Sequence, residues 1–179
     1  MDAQTILTFW FNELTPADWW RKSAQQDQNI RQRFLQVHAD AHTGGLSSWR
    51  NTPNGRLSEI IVLDQFSRNI YRDDPRAFAS DPLALELAQK TVKLGEDASL
   101  TPAEKSFMYL PYMHSESLDI HKQALHLFDQ PGLENNLDFE LKHKAIIDRF
   151  GRYPHRNKIL GRTSTQQEIE FLDQPGSSF

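Results

Sequence analysis

Apolar residues recur along this chain at helical spacing. Ile30, Phe34, Val37 and Ala41 fall at i, i+4, i+7 and i+11 behind Asp27, which is one face of a helix turning every 3.6 residues. Leu83 and Leu87 open a second stripe, widened by Leu85, Ala88 and Val92. Strict alternation, the signature of a half-buried strand, is almost absent, and no Asn-Gly or Asp-Gly pair marks a hairpin turn. The punctuation is helical as well. Thr101-Pro102-Ala103-Glu104 and Thr165-Gln166-Gln167-Glu168 read as capping boxes, Thr15-Pro16-Ala17-Asp18 repeats the pattern, and Asp81-Pro82 marks a further start. Gly44-Gly45, Gly95, Gly132 and Gly151 stand where left-handed stops belong. The expectation is an all-α chain of eight to nine helices over roughly 3–13, 17–23, 28–43, 56–71, 82–94, 102–109, 112–129, 138–150 and 166–173. Short connections favour antiparallel hairpins. Residues 1–179 are expected to form one helical domain, with a loose tail over 175–179.

One pattern occurs twice. Asp64-Gln65-Phe66-Ser67-Arg68 and Asp148-Arg149-Phe150-Gly151-Arg152 each follow an aliphatic run, 84 residues apart. In each, two apolar residues, an aspartate and an arginine share one helical stripe (Leu57, Ile61, Asp64, Arg68; Leu141, Ala145, Asp148, Arg152), as expected of stacked helical hairpins. An acid and an arginine at the end of a buried stripe must pair or line a cleft. Arginine is concentrated in the same regions: of twelve, four lie in 56–76 and four in 149–162. Guanidinium is the group suited to bidentate recognition of carboxylate or phosphate.

Composition narrows the chemistry. The chain has no cysteine, which excludes disulfides, thiol nucleophiles and Cys-type metal sites. Its longest purely aliphatic run, Ile60–Leu63, is far too short for a membrane span, and the start Met1-Asp2-Ala3-Gln4 lacks the basic region of a signal peptide. A cytoplasmic protein with no membrane partner is therefore expected. The net charge of −4 argues against nucleic acid as partner, although 145–162 carries a local +4. Motifs for P-loop nucleotides, dinucleotides, serine-hydrolase elbows and zinc are all missing, and His114-Ser115-Glu116 has poor spacing for metal ligands, so no metal or cofactor is expected. Nothing in the sequence speaks to oligomeric state.

Three stretches carry unusual combinations: Leu63–Arg72 with Ala77–Asp81, Tyr109–Glu116, and Arg149–Asn157 with Leu160-Gly161-Arg162. Through these the chain resembles, over nearly its whole length, a bacterial family known as domain of unknown function 924. Ser67 stands where proline is expected, Asp73 where glycine is usual, and Tyr153 where phenylalanine is common. The resemblance implies an all-helical fold similar to tetratricopeptide repeats and no established activity.

Three functions are carried forward. The first is a helical-repeat module that binds an anionic small molecule or a peptide carboxylate or phosphate. In it Arg68, Arg72, Arg152, Arg156 and Arg162 grip the anion, Asp64 and Asp148 hold guanidiniums, and Asn69, Tyr153 and Asn157 orient the ligand. The second is a hydrolase or transferase with His114 or His155 as base and Glu116 as acid. In the third, the ion pairs only pin helices and a protein-partner surface lies elsewhere.

Overall fold

The computed structural model describes residues 1–178, and among them the chain is all-helical with no strand. Helix α1 runs over Ala3–Thr8 and continues as a π-helical turn, Phe9–Glu13; α2 is Pro16–Trp20 and α3 Ala24–His42. Helix α4 has three parts: Pro53–Ile60, a second π-helical turn at Ile61–Phe66, and Ser67–Ile70. The rest are α5 (Asp81–Lys93), α6 (Pro102–Met113), α7 (Leu118–Phe128), α8 (Glu134–Phe150) and α9 (Gln166–Leu172). Single 3-10 turns at Ser47–Asn51, Pro75–Phe78, Glu96–Ser99 and Pro154–Arg156 link several of them.

The helix starts follow from side-chain chemistry. Thr101 Oγ1 accepts from the Glu104 amide at 3.3 Å, while Glu104 reaches back to the Thr101 amide at 2.8 Å. Thr165 and Glu168 repeat this at 3.2 and 2.7 Å, each cap satisfying otherwise orphaned amides. Helix α4 starts three residues earlier than the periodicity predicts, because Thr52 caps it through the Gly55 amide at 3.0 Å and Pro53 fills the first position. Gly55 therefore lies inside the first turn.

Helix α4 is the centre of the molecule. It packs against α1, α3, α5 and α6, so Gly55 through Asp64 are all buried, and its run of four aliphatic residues is apolar on every side. Its Phe66 stacks on Phe34, which Phe9 meets at a tilt, with ring centroids 4.8 Å apart in both pairs, and Trp10 meets Phe107 edge-on at 5.4 Å. Successive helices α5, α6, α7 and α8 pack each on the next, a pattern compatible with tetratricopeptide-like stacking. A small second cluster gathers Ile146, Ile147 and Tyr153, with Phe150 and Phe171 against it.

One expectation needs correction. The break expected near Pro111 does not occur there. Helix α6 runs through Pro111 to Met113, carried past it by the buried Phe107, Tyr109 and Tyr112 on either side, and the chain turns at 114–117 instead. His114 therefore ends α6 and shares no helical face with His121. Trp20 is 60% exposed yet stacks on Phe107, with ring centroids 5.7 Å apart. His38 is buried, with Ser67 Oγ 2.7 Å from its Nε2.

Candidate functional site

The π-helical turn of α4 delivers Asp64 into the interior, where it is 1% exposed. Its Oδ1 receives His114 Nδ1 at 2.7 Å and Arg68 Nη1 at 3.0 Å, and Gln65 donates to Oδ2. Arg68 also donates to the Asp64 carbonyl at 2.9 Å and, through both terminal nitrogens, to Asp81 at 2.9 and 3.0 Å. Asp81 sits at the start of α5, where the Asp-Pro start signal puts it. Its Oδ2 lies 3.6 Å from Arg156 Nη1.

Arg156 is the unusual member. The 3-10 turn Pro154–Arg156 directs it inward, where its guanidinium lies over the rings of Phe78 at 4.6 Å and Tyr153 at 4.8 Å. The residue is 7% exposed. Its Nε has no hydrogen-bond partner among the described residues, and Asp81 is its one ion-pair partner there. A buried guanidinium ordinarily satisfies its five donors; this one does not.

Beside it, Glu116 and Arg162 form a clasp. Arg162 pairs with both Glu116 oxygens at 2.7 and 2.9 Å, and the Tyr153 amide donates to Glu116 Oε1 at 2.7 Å. Arg162 also donates to Asn157 Oδ1 at 2.9 Å and to the Tyr153 carbonyl at 3.1 Å, and Asn157 donates to Ser164 Oγ at 3.0 Å. Arg162 Nε and both terminal nitrogens are thereby occupied. Below the clasp, buried Tyr153 donates its hydroxyl to the Met113 carbonyl at 2.6 Å. Its ring is surrounded by His121, His143 and His155, with centroids 6.2, 5.7 and 5.6 Å away. His121 in turn meets Glu140 at 2.6 Å.

The electrostatics follow from this geometry. Burial alone would raise the Asp64 carboxyl, but Arg68, His114 and the Gln65 hydrogen bond outweigh it and hold it below the usual aspartate range. Asp64 therefore carries no proton to give, and the hydrogen shared with His114 must sit on Nδ1. Burial, then Arg68, push His114 down from its ordinary value despite Asp64. In that neutral form Nε2 is a bare acceptor, and it makes no hydrogen bond among the described residues. Burial would also raise Glu116, but the Arg162 and Tyr153 bonds hold it low, so it stays ionised and is unsuited to the role of general acid. Burial pushes His155 down to about 4, with Arg156 acting in the same direction.

The structure thus brings together Asp64, Arg68, His114, Glu116, Tyr153, His155, Arg156, Asn157 and Arg162 from the sequence-derived set. It leaves others apart. Asp148 points outward, 46% exposed, and pairs with Lys144 at 2.7 Å rather than with Arg152, because the helix ends at Gly151 (φ 67°) and turns Arg152 away. Arg152 instead pairs with Glu168 of α9 at 2.6 and 2.8 Å. Arg72 and Asn69 both bind Asp27 of α3, Arg72 at 2.6 and 2.7 Å and Asn69 at 2.8 Å, outside the cluster. The repeated Asp-x-Phe-x-Arg motif is therefore not two copies of one device. A surface hollow of about 330 Å³ lies between Arg149, Phe150, Arg152 and Glu168, where Glu168 already holds Arg152.

Residues missed from the sequence are Asp81, Phe78, His121 and Glu140. Asp81 was visible as a helix start beside an arginine-rich segment and Phe78 lies in the same unusual stretch, whereas nothing local to His121 or Glu140 pairs the two. Among the described residues no group of three or more His, Cys, Asp or Glu side chains could hold a metal ion. No helix among them is long and apolar enough to cross a membrane.

The chain matches, over residues 6–176, the model of a family described as a bacterial protein of unknown function (DUF924). It is similar to the structure of the protein of unknown function ATU0120 from Agrobacterium tumefaciens, with a TM-score of 0.90 and 34% identity over 96% of either chain. No curated protein matches it. With a family match spanning nearly all of its length and a relative of the same fold, the chain belongs to the bacterial DUF924 family.

Proposed function

We propose that this protein binds a small carboxylate at the guanidinium of Arg156, between Phe78, Tyr153 and the Arg68–Asp81 pair. The observation that carries this is Arg156 itself: 7% exposed, without a hydrogen bond on its Nε, and next to an already committed Asp81. Three guanidiniums (Arg68, Arg156, Arg162) face three carboxylates (Asp64, Asp81, Glu116). A singly charged carboxylate therefore disturbs the balance less than a phosphate dianion. Donors held in place before binding lose less entropy when the ligand arrives.

Arg152, Arg72, Asn69 and Asp148 drop out of the ligand set because their partners are satisfied elsewhere. The Glu116–Arg162 clasp supports the loop 153–162 and does not face the ligand with free donors. A purely structural role for Arg156 makes the opposite stability prediction. Removing one partner of a working buried ion pair costs about 3–5 kcal/mol, whereas replacing an unsatisfied buried charge by an apolar side chain is neutral or stabilising. Arg156→Met separates the two. Wild type should gain melting temperature with millimolar acetate or propanoate at constant ionic strength. The variant should melt at or above the ligand-free wild type and show no such gain. A large fall in melting temperature for Arg156→Met, or an acetate response that survives it, overturns the assignment.

A further inference from the structure

We infer that the surface hollow between α8 and α9 is a second binding site, separate from Arg156, for an aromatic monocarboxylate: Arg149 and Arg152 hold the carboxylate, and the ring packs on Phe150. The hollow, of about 330 Å³, is lined by Arg149, Phe150, Arg152, Thr165, Gln167 and Glu168. That volume is at the lower end of the roughly 300–1,000 Å³ of small-molecule sites. Arg149 sets the hollow apart. Eleven of the twelve arginine side chains make a hydrogen bond or an ion pair among the described residues. Arg149 makes neither. Its guanidinium instead lies over the rings of Phe150 at 4.6 Å and Phe171 at 5.7 Å. Stacking engages the flat face of the group, whereas its five N–H donors lie in the plane and stay free to meet a ligand.

The other polar groups complete a wall of donors. Glu168 holds Arg152 at Nε and Nη2, at 2.6 and 2.8 Å, and the Thr163 carbonyl takes Nη2 at 2.9 Å. Arg152 is thereby fixed, and its Nη1 makes no hydrogen bond among the described residues. Thr165 Oγ1 accepts from the Glu168 amide at 3.2 Å, which leaves its hydroxyl hydrogen as a further donor. Glu168, 2% exposed, spends both oxygens on Arg152 and the Thr165 amide. It cancels the charge of Arg152, so the charge of Arg149 alone is left for a ligand. A monoanion matches it; a phosphate dianion would bring a second charge beside Glu168. The planar two-oxygen edge of a carboxylate fits a guanidinium bidentately, and half-buried Phe150 offers apolar surface to the rest of the molecule.

Benzoate is the probe and benzamide its uncharged analogue, titrated at pH 7.5 and constant ionic strength. Benzoate should bind saturably in the millimolar range, with nuclear Overhauser contacts from its ring hydrogens to Phe150. Benzamide should bind at least tenfold more weakly, the contribution of hydrogen bonds to a charged group. Arg149→Gln removes a side chain that anchors nothing by hydrogen bond or ion pair, and it should lose benzoate by a similar factor. Arg156→Met should leave the contacts to Phe150 as they are, and inorganic phosphate should not displace benzoate. Contacts to other residues, equal binding of benzamide, binding that survives Arg149→Gln, displacement by phosphate, or no saturable binding would each overturn the assignment. None of these results bears on the acetate response at Arg156. Should Arg149→Gln not fold, the contacts to Phe150 in wild type decide the question alone.

Discussion

Asp64 and Asp148 occupy the same motif, so changing each to asparagine is a matched pair. Asp64→Asn removes a charge that is 1% exposed and touches Arg68, His114 and Gln65. Deleting one partner of a buried ion pair costs about 3–5 kcal/mol. Arg68 keeps its bidentate grip on Asp81, and an asparagine oxygen still accepts one hydrogen bond, so the lower end, about 3 kcal/mol, applies. Asp148→Asn loses one exposed i, i+4 pair with Lys144, about 0.3–0.5 kcal/mol. At about 2–4 °C per kcal/mol for a chain of this size, the melting temperature should fall by about 6–12 °C in the first case and by no more than about 2 °C in the second. Thermal melts followed by circular dichroism at pH 7.5 measure both. The sign with pH is also set. Because the folded carboxyl of Asp64 lies below its ordinary 3.8, its contribution is complete above that value and is lost only as pH falls beneath it. The gap between wild type and Asp64→Asn should therefore hold from neutral pH down to 3.8 and close in stronger acid. Equal losses in the two variants, or a gap that closes near neutrality, would refute the account of the buried cluster.

Three further outcomes are expected. A Cβ at Gly55 would stand 1.9 Å from the Trp49 carbonyl oxygen, so Gly55→Ala should cost at least about 1–3 kcal/mol by forcing backbone apart, read from urea denaturation; a wild-type midpoint would contradict it. Asp73 has φ 62°, the left-handed region that glycine enters without steric cost. Asp73→Val should lose about 1–2 kcal/mol while Asp73→Gly holds or gains stability, and the reverse order would remove the strain argument. Burial pushes His38 and His155 down to about 4 and His143 to about 3. The unfolded chain therefore takes up protons below about 6.5 that the folded chain refuses, and stability should fall as pH drops from 6.5 toward 4, by up to about 1.4 kcal/mol per pH unit for each histidine. Urea melts at pH 7 and pH 5 test this, and a flat profile counts against it.

The helices were legible because their starts are local chemistry. Thr101 and Thr165 announce themselves three residues ahead of the glutamates that answer them, and Gly95 and Gly151 stop helices within the same short window. The π-helical turns were not, since no side-chain pattern separates an inserted residue from ordinary periodicity. The limits at the cluster are likewise physical. Asp64 and Asp148 look alike over five residues, and what separates them is tertiary: α4 is enclosed by four helices, whereas α8 turns that face to water. Partners drawn from afar, such as Asp81 for Arg68, Glu168 for Arg152 and Asp27 for Arg72, cannot be chosen from a sequence rich in acids. Arg156 could be named from its motif, but the absence of a partner for its Nε could not.

The π-helical turn at Ile61–Phe66 has a consequence for how much of α4 can be altered. An α-helix advances about 100° per residue, so the extra residue in that turn resets the angular phase between the two halves of α4. Upstream of it, Leu57 and Ile60 stay locked in the core; downstream, Arg68 is aimed at Asp81. Deleting one residue there would give back a regular helix and every hydrophobic contact of its first half, yet swing Arg68 about a quarter of a turn from the acid it meets. Length in this stretch is thus under tighter constraint than residue identity, and an insertion or deletion between Ile61 and Phe66 should be harder to accommodate than any single aliphatic exchange within it.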